Sequence, residues 1–252
     1  MEYKKVLITG AGGDLGAALC RRFAQAGSAI VAVNRSQAPV QKLAAELGDS
    51  VDFSSYFVDF ADLEALDKLV PTILAEHPDI DLLVLNAGID VPQKLTKPDW
   101  RLAKQHFDVN VISSYVILSH AAPLLIERNS GRIAVVSSMA SYAGFPYEHA
   151  YNGSKAAARM LVDGIRAELT NTNVEVTGIY PGFLEGRMAA SNAWTVDSVV
   201  SLADASETIY QGLVAEKPEI RFPEELAAMV DQVVSLSVEE RNGLVNSMMK
   251  HD

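Results

Sequence analysis

The chain has one cysteine in 252 residues, which excludes an internal disulfide framework. That residue, Cys20, sits beside Ala18, Leu19 and Phe23 in a helical pattern and reads as core filler. Positive charge is also scarce: 21 Lys and Arg against 32 Asp and Glu give a formal net charge of −11. No lysine/arginine cluster interrupts that acidity, which argues against nucleic acid or an anionic membrane as partner. No uninterrupted apolar run approaches the roughly 18 residues of a membrane-spanning helix. Met1-Glu2-Tyr3-Lys4-Lys5 leads straight into a strand pattern without a signal-peptide core, so a soluble, cytoplasmic protein is expected. His106, His120 and His149 lack metal-ligand spacing with one another, and no metal is expected. No nucleophile elbow supports a Ser-His-Asp hydrolase.

What is present is apolar and periodic. Hydrophobic residues make up 49% of the chain, enough for a large core. Short aliphatic or β-branched runs at Lys5–Thr9, Ala29–Val33, Phe53–Val58, Asp81–Leu85, Arg132–Ser137 and Val174–Tyr180 read as strands. Helical periods fall between them, at Leu15–Ala26, Pro39–Leu47, Leu63–Glu76, Asp99–Arg128 and Tyr151–Thr170. Asp99–Arg128 is too long for one average helix, and a bend is expected within it. A last short strand is expected at Glu219–Phe222, with helix from Pro223 to the end. This alternation predicts an α/β fold with a doubly wound parallel sheet (a Rossmann fold) covered on both faces. No repeat or long linker divides the chain, so residues 1–252 read as one domain. A substrate lid is expected around 182–203 and a helical extension around 223–252.

The chemistry starts at Tyr151 and Lys155, four residues apart on one face of an expected helix. A free tyrosine hydroxyl, with a pKa of about 10, is a poor acid or base near neutrality. A neighbouring ammonium stabilises the phenolate and is expected to lower that value. At the other end of the chain, the first strand runs into Thr9-Gly10-Ala11-Gly12-Gly13-Asp14-Leu15-Gly16, followed by a helix. Such a turn lets backbone N–H groups approach a pyrophosphate at the positive end of the helix dipole. After the second strand, where a carboxylate would hold ribose hydroxyls, stand Asn34, Arg35 and Ser36. Arg35 can pair with a 2′-phosphate and Ser36 can donate to it, so NADP(H) is favoured while NAD(H) stays open.

Further pieces follow in order: Asn86-Ala87-Gly88 after the fourth strand, Asp108-Val109-Asn110-Val111 in the long helical stretch, Ser138 thirteen residues before Tyr151, and Tyr180-Pro181-Gly182 after the sixth strand. Together with the loop and the Tyr-x-x-x-Lys pair they resemble the short-chain dehydrogenase/reductase family, over nearly the whole chain. The resemblance implies a general acid/base at Tyr151, with Lys155 tuning it and holding the nicotinamide ribose. Ser138 would orient the substrate oxygen, and Asn110 would support a water relay to Lys155. It also implies cofactor contacts from Gly10, Gly12, Gly13, Asp14, Leu15 and Gly16 at the pyrophosphate turn, from Asn34, Arg35 and Ser36, from Asp59 near adenine, from Asn86, Ala87 and Gly88, and from Pro181 and Gly182 near the nicotinamide. A homodimer or homotetramer is the implied assembly, with the helices of Asn110 and Tyr151 in contact.

Two positions depart from the family pattern. Asp14 stands where the loop has its middle glycine, and is expected to point away and cap the helix. Gly186 stands where a threonine often bonds the carboxamide. Asp90–Leu95, Met139–Tyr147 and Phe183–Val200 are the candidate substrate walls, with Met139, Tyr142, Phe145, Tyr147, Phe183, Leu184, Met188 and Trp194 among them. They suggest an apolar or aromatic carbonyl or alcohol. An NADP(H)-dependent oxidoreductase is the favoured reading. A redox-neutral epimerase or dehydratase of the same fold, and a non-catalytic nucleotide-sensing protein, remain as alternatives.

Overall fold

Seven apolar runs become seven parallel strands in a computed structural model that describes residues 3–186 and 199–247. They are β1 (Lys5–Thr9), β2 (Ala29–Asn34), β3 (Phe53–Phe57), β4 (Leu82–Leu85), β5 (Gly131–Val136), β6 (Val174–Pro181) and β7 (Glu219–Phe222). Their order in the sheet is β3-β2-β1-β4-β5-β6-β7, the expected doubly wound α/β arrangement. Because side chains alternate along a strand, β1 sends Leu7 to one face and Val6 and Ile8 to the other. Both faces are covered, so the strands are apolar throughout rather than alternating.

On the Leu7 face lie α3 (Leu63–Glu76), the long helical region after β4, and α6 (His149–Glu168). On the opposite face lie α1 (Asp14–Gln25), α2 (Gln37–Leu47) and α7 (Leu202–Val214). Two further helices, α8 (Glu224–Ser235) and α9 (Val238–Ser247), follow β7, as the helical period after Pro223 predicts. The pattern alone assigns no element between Ala203 and Glu219, yet α7 fills most of that span. Its signals are short: Ser201 Oγ accepts from the Asp204 N–H at 3.0 Å, and Ala205, Ile209 and Leu213 form its buried stripe.

The bend expected in Asp99–Arg128 is a π turn. Asp99 Oδ1 accepts from the Arg101 N–H to start α4 (Trp100–Phe107). The wider turn Asp108–Ile112 follows, and α5 (Ser113–Arg128) continues from it. The combined helix, Trp100–Arg128, is by length and composition apolar enough to cross a membrane, with an 18-residue window of mean hydropathy 1.6. Here its inner stripe of Ile117, Leu118, Ala121 and Leu125 is buried on the sheet.

The carboxyl ends of the central strands are pinned by Thr9. Its Oγ1 accepts from the N–H groups of Asn86 at 2.8 Å and Ala87 at 2.9 Å. Asn86 Nδ2 returns a bond to the Thr9 carbonyl at 2.9 Å. β1 and β4 therefore end at a fixed height, and the loops beyond them share one crevice. The two stems of the segment expected as a lid also meet: Leu184 bridges Val200, and Glu185 N–H donates to the Val200 carbonyl at 2.9 Å.

Ile209 is fully buried at the centre of α7, between that helix and the sheet. Ile209→Ala should lower stability by about 2–5 kcal/mol, seen as a reduced urea midpoint with an unchanged denaturant slope.

Candidate active site

Every catalytic and cofactor residue expected from the sequence except Asn110 borders one cavity of about 600 Å³ along the carboxyl ends of the strands. One end of it is the turn between β1 and α1. Gly10 N–H donates to the Val33 carbonyl at 2.8 Å and Gly13 N–H to the Gly10 carbonyl at 2.9 Å, which folds the loop back on itself. A Cβ at Gly16 would stand 2.2 Å from the Gly10 carbonyl oxygen, so only glycine permits this approach. The first turn of α1 faces the cavity with N–H groups that lack intrahelical partners. A turn this tight at a helix N-terminus fits the pyrophosphate of a dinucleotide.

Asn34 holds this turn from the side. Its Oδ1 accepts from the Gly12 N–H at 3.1 Å, while its Nδ2 donates to the Ser36 carbonyl at 2.7 Å. Buried and committed at both ends, Asn34 shapes the loop that presents the exposed Arg35 and Ser36 at the cavity rim. Asp59 is exposed nearby and closes its own turn on the Ala61 N–H at 3.0 Å.

At the other end stand Ser138, Tyr151 and Lys155. Ser138 follows β5; its Oγ accepts from the Ala140 N–H at 3.1 Å and lies 3.5 Å from the Pro181 carbonyl. Tyr151 and Lys155 lie one turn apart near the start of α6, with the Lys155 Nζ 5.7 Å from the Tyr151 ring centre. Lys155 Nζ donates to the Val136 carbonyl at 3.0 Å. Ser137, beside Ser138, also borders the cavity and donates from Oγ to the Lys155 carbonyl at 2.8 Å. It thereby fastens the catalytic-side helix to β5, a role its sequence position does not reveal.

Asn110 lies behind the cavity in the π turn, only 3% exposed. Its Oδ1 accepts from the Ile89 N–H at 2.8 Å, and its Nδ2 donates to the Ile89 carbonyl at 3.0 Å and to Ser154 Oγ at 2.9 Å. It thus ties the loop after β4 to α6, directly beside Lys155 in the chain.

Burial governs the electrostatics. The Tyr151 hydroxyl is pushed above its ordinary range by desolvation first and by the Asp90 charge next, while a hydrogen bond with Ser138 works in the opposite direction. The lowering expected from Lys155 does not appear among these influences, and burial dominates. Lys155 itself is pushed down to about 8 by burial, with Asp90 opposing.

The substrate side departs from expectation at several points. Met139, Phe145, Phe183 and Leu184 border the cavity, but Tyr142 and Tyr147 do not. Tyr142 packs edge-on to Tyr180 at 5.6 Å and receives the guanidinium groups of Arg159 and Arg221. Leu95 is 76% exposed and also lies away from it. Met188 and Trp194 fall outside the described residues. Two wall residues that the sequence does not single out, Leu226 and Val230, come from α8. A third, Glu148, lies one residue beyond the expected wall.

The two departures from the family pattern touch each other. Asp14 is the first residue of α1 rather than its N-cap, which is Gly13, so the expected cap is replaced by an acid in the first turn. A Cβ at Gly186 would stand 2.4 Å from Asp14 Oδ2, and Gly186 has φ +127°. The carboxylate thus occupies the space a side chain at 186 would need.

Known proteins resemble this chain in sequence and in fold. A family model described as short chain dehydrogenase matches residues 4–196. An uncharacterized oxidoreductase of Myxococcus xanthus is 31% identical over 228 residues, covering 90% of each chain. The NADP-dependent 3-hydroxy acid dehydrogenase YdfG of Shigella flexneri is 30% identical over 218 residues, 85% of this chain and 84% of that one. Among solved structures, serine dehydrogenase from Escherichia coli superposes with TM-score 0.74 at 26% identity, over 86% of this chain and 96% of that one.

Gly186→Ala should cost about 1–3 kcal/mol of local stability, read as faster proteolysis between 183 and 200. Adding Asp14→Gly should recover the part due to the contact and leave the part due to φ.

Proposed function

This chain belongs to the short-chain dehydrogenase family, and from that premise we propose that it transfers hydride between NADP(H) and a carbonyl or secondary alcohol, with Tyr151 as general acid/base. At the coarser level it is an NAD(P)-dependent dehydrogenase or reductase acting on CH–OH and C=O groups. The observation that carries the finer reading is the convergence of Ser138, Tyr151 and Lys155 on one end of a cavity whose other end is the glycine turn.

A bound nicotinamide supplies or accepts the hydride at carbon. The remaining work falls to side chains. Tyr151, kept protonated at neutral pH by burial, gives its proton to the substrate oxygen as negative charge develops there. The Ser138 hydroxyl donates to the same oxygen and fixes its position. Lys155 is cationic below about pH 8 and steadies the phenolate left after transfer. Asn110 holds the loop after β4 against α6, which keeps the floor of the site still. In the oxidative direction the Tyr151 phenolate takes the proton from the alcohol oxygen as the hydride leaves the carbon, and Ser138 again holds that oxygen.

Arg35 and Ser36 at the rim, with Asn34 in place of a carboxylate, support NADP(H) over NAD(H). YdfG, named as NADP-dependent, agrees with that choice. The lining from Val91, Met139, Phe145, Phe183, Leu226 and Val230 supports a substrate with an apolar or aromatic body. The joined stems at Leu184 and Val200 support a lid over it. Because one sheet carries both ends of the cavity, the chain reads as one domain. Exposed Tyr115 and Met160 on α5 and α6 support a homodimer or homotetramer through these helices.

Tyr151→Phe should retain the fold and lower kcat/KM for ketone reduction roughly 10²–10⁴-fold; reduction at the parent rate would remove Tyr151 from the role. Arg35→Ala should raise the Kd for NADPH roughly 10–100-fold and leave that for NADH nearly unchanged, by titration of nucleotide fluorescence. Equal losses for both nucleotides would eliminate the 2′-phosphate contact.

A further inference from the structure

We propose that Asp90 and Glu148 form a paired-carboxyl corner of the substrate pocket that takes an ammonium group on the substrate and turns carboxylates away. The inference rests on the hydride-transfer reading and names its substrate class.

Both residues border the cavity that holds Tyr151 and Ser138. Glu148 is 6% exposed, and its Oε2 is buried with no conventional hydrogen-bond donor facing it. Asp90 Oδ1 is buried in the same condition. The two side chains instead face one another, which requires a proton between them. Burial, followed by the Asp90 hydrogen bond and charge, raises the Glu148 carboxyl well above the carboxylate range. The Glu148 carboxyl therefore keeps its proton at neutral pH. The charge on Asp90 acts on both Tyr151 and Lys155, so the pair stands within electrostatic reach of the reacting oxygen.

The surrounding backbone is built to present this pair. Tyr147, immediately before Glu148, has φ +68°, a left-handed conformation unfavourable for an aromatic residue. Its carbonyl accepts from the Gln93 N–H at 2.8 Å, and the Lys94 ammonium lies 5.4 Å from its ring centre. On the other side, the residue after Asp90 is fixed as well: Val91 N–H donates to Nε2 of the fully buried His106 at 3.0 Å. The His106 Nδ1 contacts the Leu102 carbonyl at 2.8 Å, which assigns the proton to that nitrogen. The His149 ring meets the Gln93 carbonyl at 3.2 Å. Three contacts thus hold the loop after β4 against the start of α6, and both carboxyls arrive at one wall.

A buried carboxyl pair in an apolar wall costs free energy that a leucine or methionine would not. Its chemistry selects a ligand. An ammonium group can donate to both carboxyls and neutralise the charge, whereas a carboxylate meets like charge in a low-dielectric wall. The pocket then fits an amino ketone or amino alcohol with an apolar or aromatic body. This differs from the acid substrate named for the YdfG relative.

The test uses full-length protein with NADP⁺ and compares binding of 2-amino-1-phenylethanol and mandelate by calorimetry, in the parent, Glu148→Gln, and D90N combined with E148Q. The amino alcohol should bind at least roughly tenfold tighter than mandelate to the parent, and the double variant should shrink that ratio at least roughly tenfold. Glu148→Gln alone should shift it in the same direction, which keeps the test intact if the double variant fails to fold. Equal or tighter mandelate binding, no measurable amino-alcohol binding, or an unchanged ratio in the variants overturns the proposal. Turnover of the matching ketones is read separately. No hydride transfer with the expected binding ratio would strike the catalytic reading alone; transfer with an unchanged ratio would strike this inference alone.

Discussion

One buried amide organises the catalytic half of the molecule. Asn110 is sealed inside the protein and must satisfy both ends of its side chain there, since a buried polar group without partners is costly. It does so on the backbone of Ile89 and on the Ser154 hydroxyl, three bonds that join the loop after β4 to α6. The π turn at Asp108–Ile112 is what carries this amide at the level of the crevice. Gly88 completes the arrangement: a Cβ there would lie 3.4 Å from both Asn110 Oδ1 and Lys155 Nζ. Loop, π turn and helix thus form a single rigid corner, and Lys155, Tyr151 and Asp90 all hang from it.

Rigidity of that kind makes burial the dominant electrostatic influence. Tyr151 and Lys155 respond to it oppositely, as they must, because desolvation always disfavours the charged form: the phenol rises and the ammonium falls. Their two protonation equilibria are moved in directions that favour neutral forms of both. The Asp90–Glu148 pair answers to the same rule, and retains one proton for the same reason. At this end of the cavity burial thus weakens charge, and the charge on Asp90 is felt by both Tyr151 and Lys155.

Much of this was legible in the residues. The strands were readable because a parallel sheet buried on both faces leaves continuous apolar runs, as at Val6-Leu7-Ile8 and Leu82-Leu83-Val84-Leu85. The glycine turn and the Ser138, Tyr151 and Lys155 set were readable because each is local or fixed by strand and helix period. The helix α7 was not, because its buried stripe is diluted by Ser206 and Gly212, small residues that pack well but carry little apolar signal. Tyr142 misled for a related reason: an aromatic near a site says nothing of direction, and Arg159 and Arg221 draw its ring elsewhere. The pairing of Asp90 with Glu148 joins two loops distant in the chain, and the proximity of Asp14 to Gly186 does the same. Such contacts follow from the fold and leave no periodic trace.

Asn34 carries a last consequence, for engineering. The position at which a carboxylate would grip ribose hydroxyls is already employed in holding the chain. A carboxylate there keeps the acceptor for Gly12 N–H but has no donor for the Ser36 carbonyl, so installing it loosens the very turn that displays Arg35. Redesign of nucleotide choice at this site is therefore a problem of two positions at once, a new ribose ligand together with a new staple for the Ser36 turn.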